Sequence, residues 1–326
     1  MTLPNLFCIV SALAMAACNI GTHSADQPGL SLDQAASTPE VFAPGLISTS
    51  LVERDLAISP DGTQILWSVA TPDQSVRAIA QITLHNGAWS APAVVPFSGV
   101  HDDLEPAFAP DGQSLFFVSN RPLDADDASS DHNIWRVART DGRWSAPTAL
   151  DTVINTDGNE YYPSVAANGN LYFTASRNDT RGLEDIYVSR WADGRYGTPV
   201  SLDSAVNSAL YEYNAFIAPD ESYLIFGSYG RPEGLGGGDL FISHRGPNGR
   251  WQPAVHLGSE INSPKLDYCP FVDVRHNIFY FTSARGAAEA SGSAFTYDDI
   301  VRISASEVNG LSNIYRVRTE GVLHSD

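Results

Sequence analysis

Short apolar runs, each led by a turn signal, recur along the chain from about residue 41 onward. Pro60-Asp61-Gly62 precedes Ile65-Leu66-Trp67-Ser68, and Pro110-Asp111-Gly112 precedes Leu115-Phe116-Phe117-Val118-Ser119. Asn168-Gly169 leads into Leu171-Tyr172-Phe173-Thr174, and Pro219-Asp220 into Leu224-Ile225-Phe226-Gly227-Ser228. A degenerate copy, Arg275-His276, leads into Ile278-Phe279-Tyr280-Phe281-Thr282-Ser283. Runs this short, aromatic and β-branched, and bounded by turn formers, read as strands. The turn positions 61, 111, 168, 220 and 275 lie 50 to 57 residues apart, so the chain divides into five repeats.

Most copies continue in the same way. A serine and then Arg121, Arg177, Arg231 or Arg285 end the second strand. After a polar loop, Asn133-Ile134-Trp135, Asp185-Ile186-Tyr187 or Asp239-Leu240-Phe241 opens a third. Asn86-Gly87, Asp141-Gly142, Asp193-Gly194 and Asn248-Gly249 then mark hairpins, since these pairs tolerate the two positive φ angles of a type I′ turn. Trp89, Trp144, Tyr196 or Trp251 follows, and then a proline suited to an edge strand. Four strands in about 50 residues is the unit of a propeller blade.

These motifs, taken together, resemble the WD40-like repeat family of TolB-type propellers over roughly residues 41–318. The resemblance implies an all-β propeller and leaves activity open, because one fold hosts many roles. Five blades of four antiparallel strands are expected, with six as the alternative known in related propellers. The last repeat lacks its own fourth strand, and residues 41–48 have no blade of their own. Ser48 precedes Glu53 by the five residues that separate Asn155 from Glu160, Asn207 from Glu212 and Asn262 from Asp267. An N-terminal strand therefore completes the last blade and hides two sheet edges. Its third strand is expected at Asn313-Ile314-Tyr315, or alternatively at Asp299-Ile300-Val301.

Upstream, Leu6 to Ala17 is apolar, and residues 1–18 carry no charged side chain. The stretch is of signal-peptide length and ends in Met15-Ala16-Ala17-Cys18, which resembles a bacterial lipobox. Residues 1–18 are read as a signal peptide with Cys18 as its lipidation site. Residues 19–40 are read as a flexible tether, and 41–326 as one propeller domain. Expected localisation is the periplasm or cell surface, with a membrane reached only through the lipid. Once Cys8 and Cys18 are assigned to processing, Cys269 has no disulfide partner and reads as a buried thiol. The net charge of −19 repels phosphate backbones, so nucleic acid is not an expected partner; a monomer is expected.

Repeat register also gathers the shared polar groups. Glu53, Asp103, Glu160, Glu212 and Asp267 each lie eight residues before the turn position. They stand where the innermost strand begins, on the face where Arg121, Arg177, Arg231 and Arg285 end the second strand. These nine residues are the candidate binding set. Their plainer reading is a repeated ion pair fixing each strand, since arginine suits bidentate pairing. The first repeat has no such arginine, which singles out Glu53 as the acid free for a ligand. Tyr161, Tyr213 and Tyr268 directly follow three of the acids and suit either sugar stacking or inter-blade packing.

Catalytic and metal motifs are not found. Gly234 to Gly238 precedes a strand, so it is no phosphate cradle, and the eight histidines lack metal-ligand spacing. Asp124, Asp126, Asp127 and Asp131 make an acidic loop that leaves calcium open as a cofactor, without EF-hand spacing. In the insertion 286–312, Thr296 and Asp299 have capping-box spacing for a short helix. The expected function is a non-catalytic module binding a protein, peptide or glycan. The alternatives are a carbohydrate-active enzyme using channel-mouth carboxylates and a calcium-dependent adhesion protein.

Overall fold

A computed structural model describes residues 30–286 and 294–323. It is a five-bladed all-β propeller, each blade a sheet of four antiparallel strands. The first blade is Val52–Ile58, Gln64–Ala70, Arg77–His85 and Ala93–Val94. The second opens at Asp103–Phe108, the third at Glu160–Val165, the fourth at Tyr211–Ile217 and the fifth at Asp267–Asp273. Each innermost strand packs on the next, and the fifth packs back on the first. The ring therefore closes with five blades, and the six-bladed alternative falls away.

Closure follows the expected scheme. Asn313–Arg318 is the third strand of the last blade, and Glu40–Val41 pairs with Arg316 and Tyr315 as its fourth. Phe42 then plugs the seam, fully buried and edge-on to Tyr280 at 5.0 Å. The alternative third strand at Asp299–Val301 is instead part of a helix, Tyr297–Ser304, capped reciprocally by Thr296 and Asp299. The stretch expected to be tether already touches the ring from Leu30 onward. Leu30 and Leu32 pack against the first and last blades, and Trp89 Nε1 donates to the Leu30 carbonyl at 3.1 Å. Arg316 donates to the Ser31 carbonyl and to Glu40. Cys8, Cys18 and the apolar leader lie outside the described residues. Among the described residues no helix is long and apolar enough to cross a membrane.

The turns show why the repeat survives degeneracy. Gly62, Gly112 and Gly169 take positive φ at the first-to-second strand turn, where the left-handed region favours glycine. The fourth copy places Glu221 there instead, at φ 57°, and in the fifth the positive φ falls one residue later, on Asn277 at 55°. Glu221 is held by Tyr172 Oη at 2.7 Å and Asn170 Nδ2 at 2.9 Å from the third blade. Three of the four hairpins carry both positive φ values of a type I′ turn; at Asn248-Gly249 only the glycine does.

Candidate functional site

The five shared carboxylates are fully buried, with exposures of 0 to 1 %. Four meet the arginine of their own blade: Asp103–Arg121 at 2.5 Å, Glu160–Arg177 at 3.2 Å, Glu212–Arg231 at 2.9 Å and Asp267–Arg285 at 2.6 Å. Each of these arginines also lies over two aromatic rings of its blade, such as Phe226 and Phe241 for Arg231. Each donates as well to a backbone carbonyl leading into the innermost strand: Phe97, Ile154, Val206 or Ile261. From the other side, the backbone N–H and hydroxyl of Thr156, Ser208 or Ser263 donate to Glu160, Glu212 or Asp267. In the third, fourth and fifth blades the carboxylate thus clasps three chain segments where they converge; Asp103 lacks the upstream donor, and its Oδ2 has no hydrogen-bond partner among the described residues. One position upstream, Asn155, Asn207 and Asn262 bond both backbone groups of Ile134, Ile186 and Leu240 in the preceding blade.

Glu53 is the exception that its repeat suggested. It has Thr49 as donor and no arginine, and where the other third strands carry an aromatic the first blade has Ala80. Yet Glu53 is as buried as the others, so it does not open onto the channel. Burial pushes its pKa up to about 6, against the pull of the Thr49 hydrogen bonds.

The channel is lined one and two residues further on. In every blade the second residue after the carboxylate takes positive φ at a bulge: Asp55, Glu105, Tyr162, Asn214 and Cys269. A bulge re-aims its side chain and locally breaks pairing. The freed N–H groups bond across blades: Glu105 to Ser68 Oγ at 2.8 Å, Asn214 to Thr174 Oγ1 at 3.0 Å and Asp55 to Thr282 Oγ1 at 3.4 Å. The second blade has Val118 at the hydroxyl position, and there Tyr162 N–H bonds Glu105 Oε2 at 2.6 Å instead.

Side chains of this ring meet over the axis. Arg54 contacts Asp55 and Glu105, each at 2.8 Å, and Asn214 Nδ2 reaches Glu105 Oε1 at 3.5 Å. Tyr162 Oη donates to the Pro270 carbonyl at 3.0 Å, and Cys269 Sγ lies 3.8 Å from Asn214 Oδ1. These contacts form a septum that splits the channel into two cavities, with Glu105 lining both. Burial holds Glu105 well above the usual carboxylate range, against the pull of Arg54. Burial also raises the Cys269 thiol far above its ordinary value, as expected of an inert buried thiol.

The upper cavity, of about 270 Å³, opens where the innermost strands begin. Its wall includes Arg54, His132, Tyr161, Glu184 and Tyr213 above Glu105. Glu184 comes from the loop before the third strand of the third blade. Its carboxylate makes no hydrogen bond or ion pair among the described residues, and burial alone raises its pKa. Tyr161 Oη sits 3.5 Å from His132 Nδ1, and burial keeps that imidazole below its usual pKa. Tyr213 lies flat in the space left by Gly227, where a Cβ would come within 2.5 Å of the ring. Tyr268, by contrast, is buried under Arg54 and bonds Ser312. Of the tyrosines singled out in the sequence, two therefore face the cavity and one packs between blades.

The acidic loop uses its own carboxylates. Asp127 accepts from the N–H groups of Leu123 and Ser129, and Asp124 from that of Asp126. Among the described residues, no three His, Cys, Asp or Glu side chains gather as metal ligands would.

Fold and site together define a five-bladed propeller with a septated axial channel. Among solved structures, an α-L-arabinofuranosidase from Lactobacillus brevis aligns at a TM-score of 0.51 and 12 % identity, covering 84 % of this chain and 92 % of that one. TolB from Acinetobacter baumannii aligns at 0.44 and 14 %, covering 72 % of this chain. The chain spans about half the length of that TolB, 49 %. The arabinofuranosidase PaAbf62A from Podospora anserina aligns at 0.45 and 13 %. At such identities the likeness is one of fold. No family profile matches the chain, and neither does any curated protein.

Proposed function

We propose that the chain is an extracytoplasmic binding module that docks a protein, peptide or glycan on the upper mouth of its channel. The observation that carries this reading is the burial of the shared carboxylates, four of them in arginine clasps. Groups buried and clasped in this way serve architecture, even where Asp103 Oδ2 is left without a partner among the described residues, so recognition passes to side chains that do not repeat. Tyr161, Tyr213 and the unpaired Glu184 supply ring faces and a free acceptor on a rigid scaffold. The apolar leader and the lipobox-like Cys18 support delivery across a membrane and tethering there. The protein then meets its ligand in the cell envelope as a monomer.

The test is binding to peptide and glycan arrays by the wild type and by Tyr161→Ala and Glu184→Gln. A loss of tenfold or more in affinity, with unchanged melting, is expected for at least one variant. Binding that neither substitution alters would exclude the upper mouth.

A second reading has one observation in its favour. Glu105 and Glu184 share the upper cavity, and two carboxyl groups of differing environment are the minimum for glycoside hydrolysis. Against it, Glu105 is already engaged by Arg54, Tyr162 N–H and Asn214. Turnover of a glycan panel that vanishes in folded Glu105→Gln would establish the enzyme over the binder.

A further inference from the structure

Below the septum the channel changes character. The lower cavity, of about 290 Å³, opens among the first-to-second strand turns. Three innermost strands place proline at the same repeat position, Pro106, Pro163 and Pro270, and three turns add Pro60, Pro110 and Pro219. Proline has no N–H, so these walls lack six of the backbone donors that other residues would present. Phe108, Phe216 and Phe271 form the sides. An engineered apolar cavity of about 150 Å³ takes benzene, so this one has room for about twice that volume.

Charge at the lower mouth is uneven. His276 Nδ1 is bonded to Asp273 at 2.6 Å. Arg275 is exposed, and among the described residues its guanidinium has no carboxylate within ion-pair distance. It leans from the last blade towards the first, where a Cβ on Gly62 would lie 3.3 Å from its Nη1. A free guanidinium thus stands at the rim of an apolar cup, across the septum from the upper mouth.

We propose that the lower cavity binds a small amphipathic anion: an alkyl or aromatic tail in the cup, with its carboxylate on Arg275. Either a free medium-chain acid or the carboxyl end of an apolar peptide has this chemistry.

Calorimetric titration of the full chain with submicellar decanoate and with decanol tests the site. Decanoate should bind one to one. Arg275→Gln should weaken decanoate about fivefold, the upper worth of one exposed ion pair, and leave decanol unchanged. Ala107→Phe, which fills the cup from its wall, should abolish both; Arg275→Gln decides alone if that variant does not fold. Competition by acetyl-Ala-Ala-Phe, but not its amide, assigns peptide ends to the same site; no competition assigns the free acid. No saturable decanoate heat, or an Arg275→Gln protein with the wild-type ratio of decanoate to decanol affinity, overturns the proposal.

Discussion

Glu53 and Glu212 occupy the same place in two blades and should answer the same substitution in opposite ways. Glu212 takes hydrogen bonds from Ser208, Ser228 and Arg231, and Glu212→Gln leaves the partly buried Arg231 guanidinium without its counter-charge. Breaking a buried pair costs about 3–5 kcal/mol. Glu53 has no counter-charge to lose. Its pKa rises on folding, so the folded protein holds that proton more tightly than the unfolded chain does. Stability from this group is therefore full below about 4.5 and falls as pH climbs to about 6, by roughly 2 kcal/mol. Glu53→Gln keeps partners for Thr49 and removes that loss. Urea melts should show Glu53→Gln up to about 2 kcal/mol more stable than wild type at pH 8, with no gain at pH 4. Glu212→Gln should be destabilised at pH 8. Equal effects at the two positions would mean that the arginine clasp contributes nothing. The clasp was legible in the sequence because one residue type recurs for one job. The septum was not: Asp55, Glu105, Tyr162, Asn214 and Cys269 share a backbone geometry and no chemistry. Glu184 and His132 lie in loops, where register says nothing about direction.

At the level of elements, the closing strand is the part with fewest residues and most consequence. Glu40–Val41 gives only two paired residues, so its hold depends on what flanks it. Phe42 is buried, donates its N–H to the Ile314 carbonyl at 2.8 Å and lies under Arg316. Phe42→Ala removes the ring but keeps the strand, at a cost of about 3–5 kcal/mol in a core of this kind. It should also unfasten the edge, exposing Asn313–Arg318 to protease while the other blades hold. Limited trypsinolysis followed by mass mapping checks this, with early cuts expected at Arg316 and Arg318. Uniform cleavage across all five blades would show instead that the ring opens as one unit. The displaced strand was readable from the missing fourth strand at one end and the spare Ser48 spacing at the other. The strand is shorter and earlier than the expected 41–48: only Glu40 and Val41 pair, Glu40 because Arg316 stands opposite it, and beyond Val41 the chain turns, with Ile47 N–H bonded to the Ala43 carbonyl. The insertion sequence allows either a helix or a strand at Asp299–Val301, and the Thr296–Asp299 capping box fixes the helix.

For the whole molecule, the balance of charge is the dominant long-range term. The chain carries 38 acidic and 19 basic side chains. Many of its arginines are already committed, in the four blade clasps and to Asp55, Glu105, Asp102, Glu221 and Glu40. Apart from buried Glu53, Asp185, Asp239 and Asp273, most of the acids left over face solvent with few counter-charges of their own, and a large single-sign charge destabilises the compact state. Added salt has two opposed effects here. It screens exposed attraction, which is worth little per pair, and it screens the net repulsion. The buried clasps are shielded from it. Repulsion should therefore win, and the melting temperature at pH 7.5 should rise by a few degrees between 20 and 300 mM NaCl. Near the sequence pI of about 4.6 the net charge vanishes, and the salt dependence should shrink or change sign. A melting temperature that falls with salt at pH 7.5 would mean that exposed ion pairs, such as Arg302–Asp299, outweigh the excess of acid. The same field would draw cationic ligands towards the upper mouth, so association measured there should slow as salt is raised, even while the fold becomes more stable.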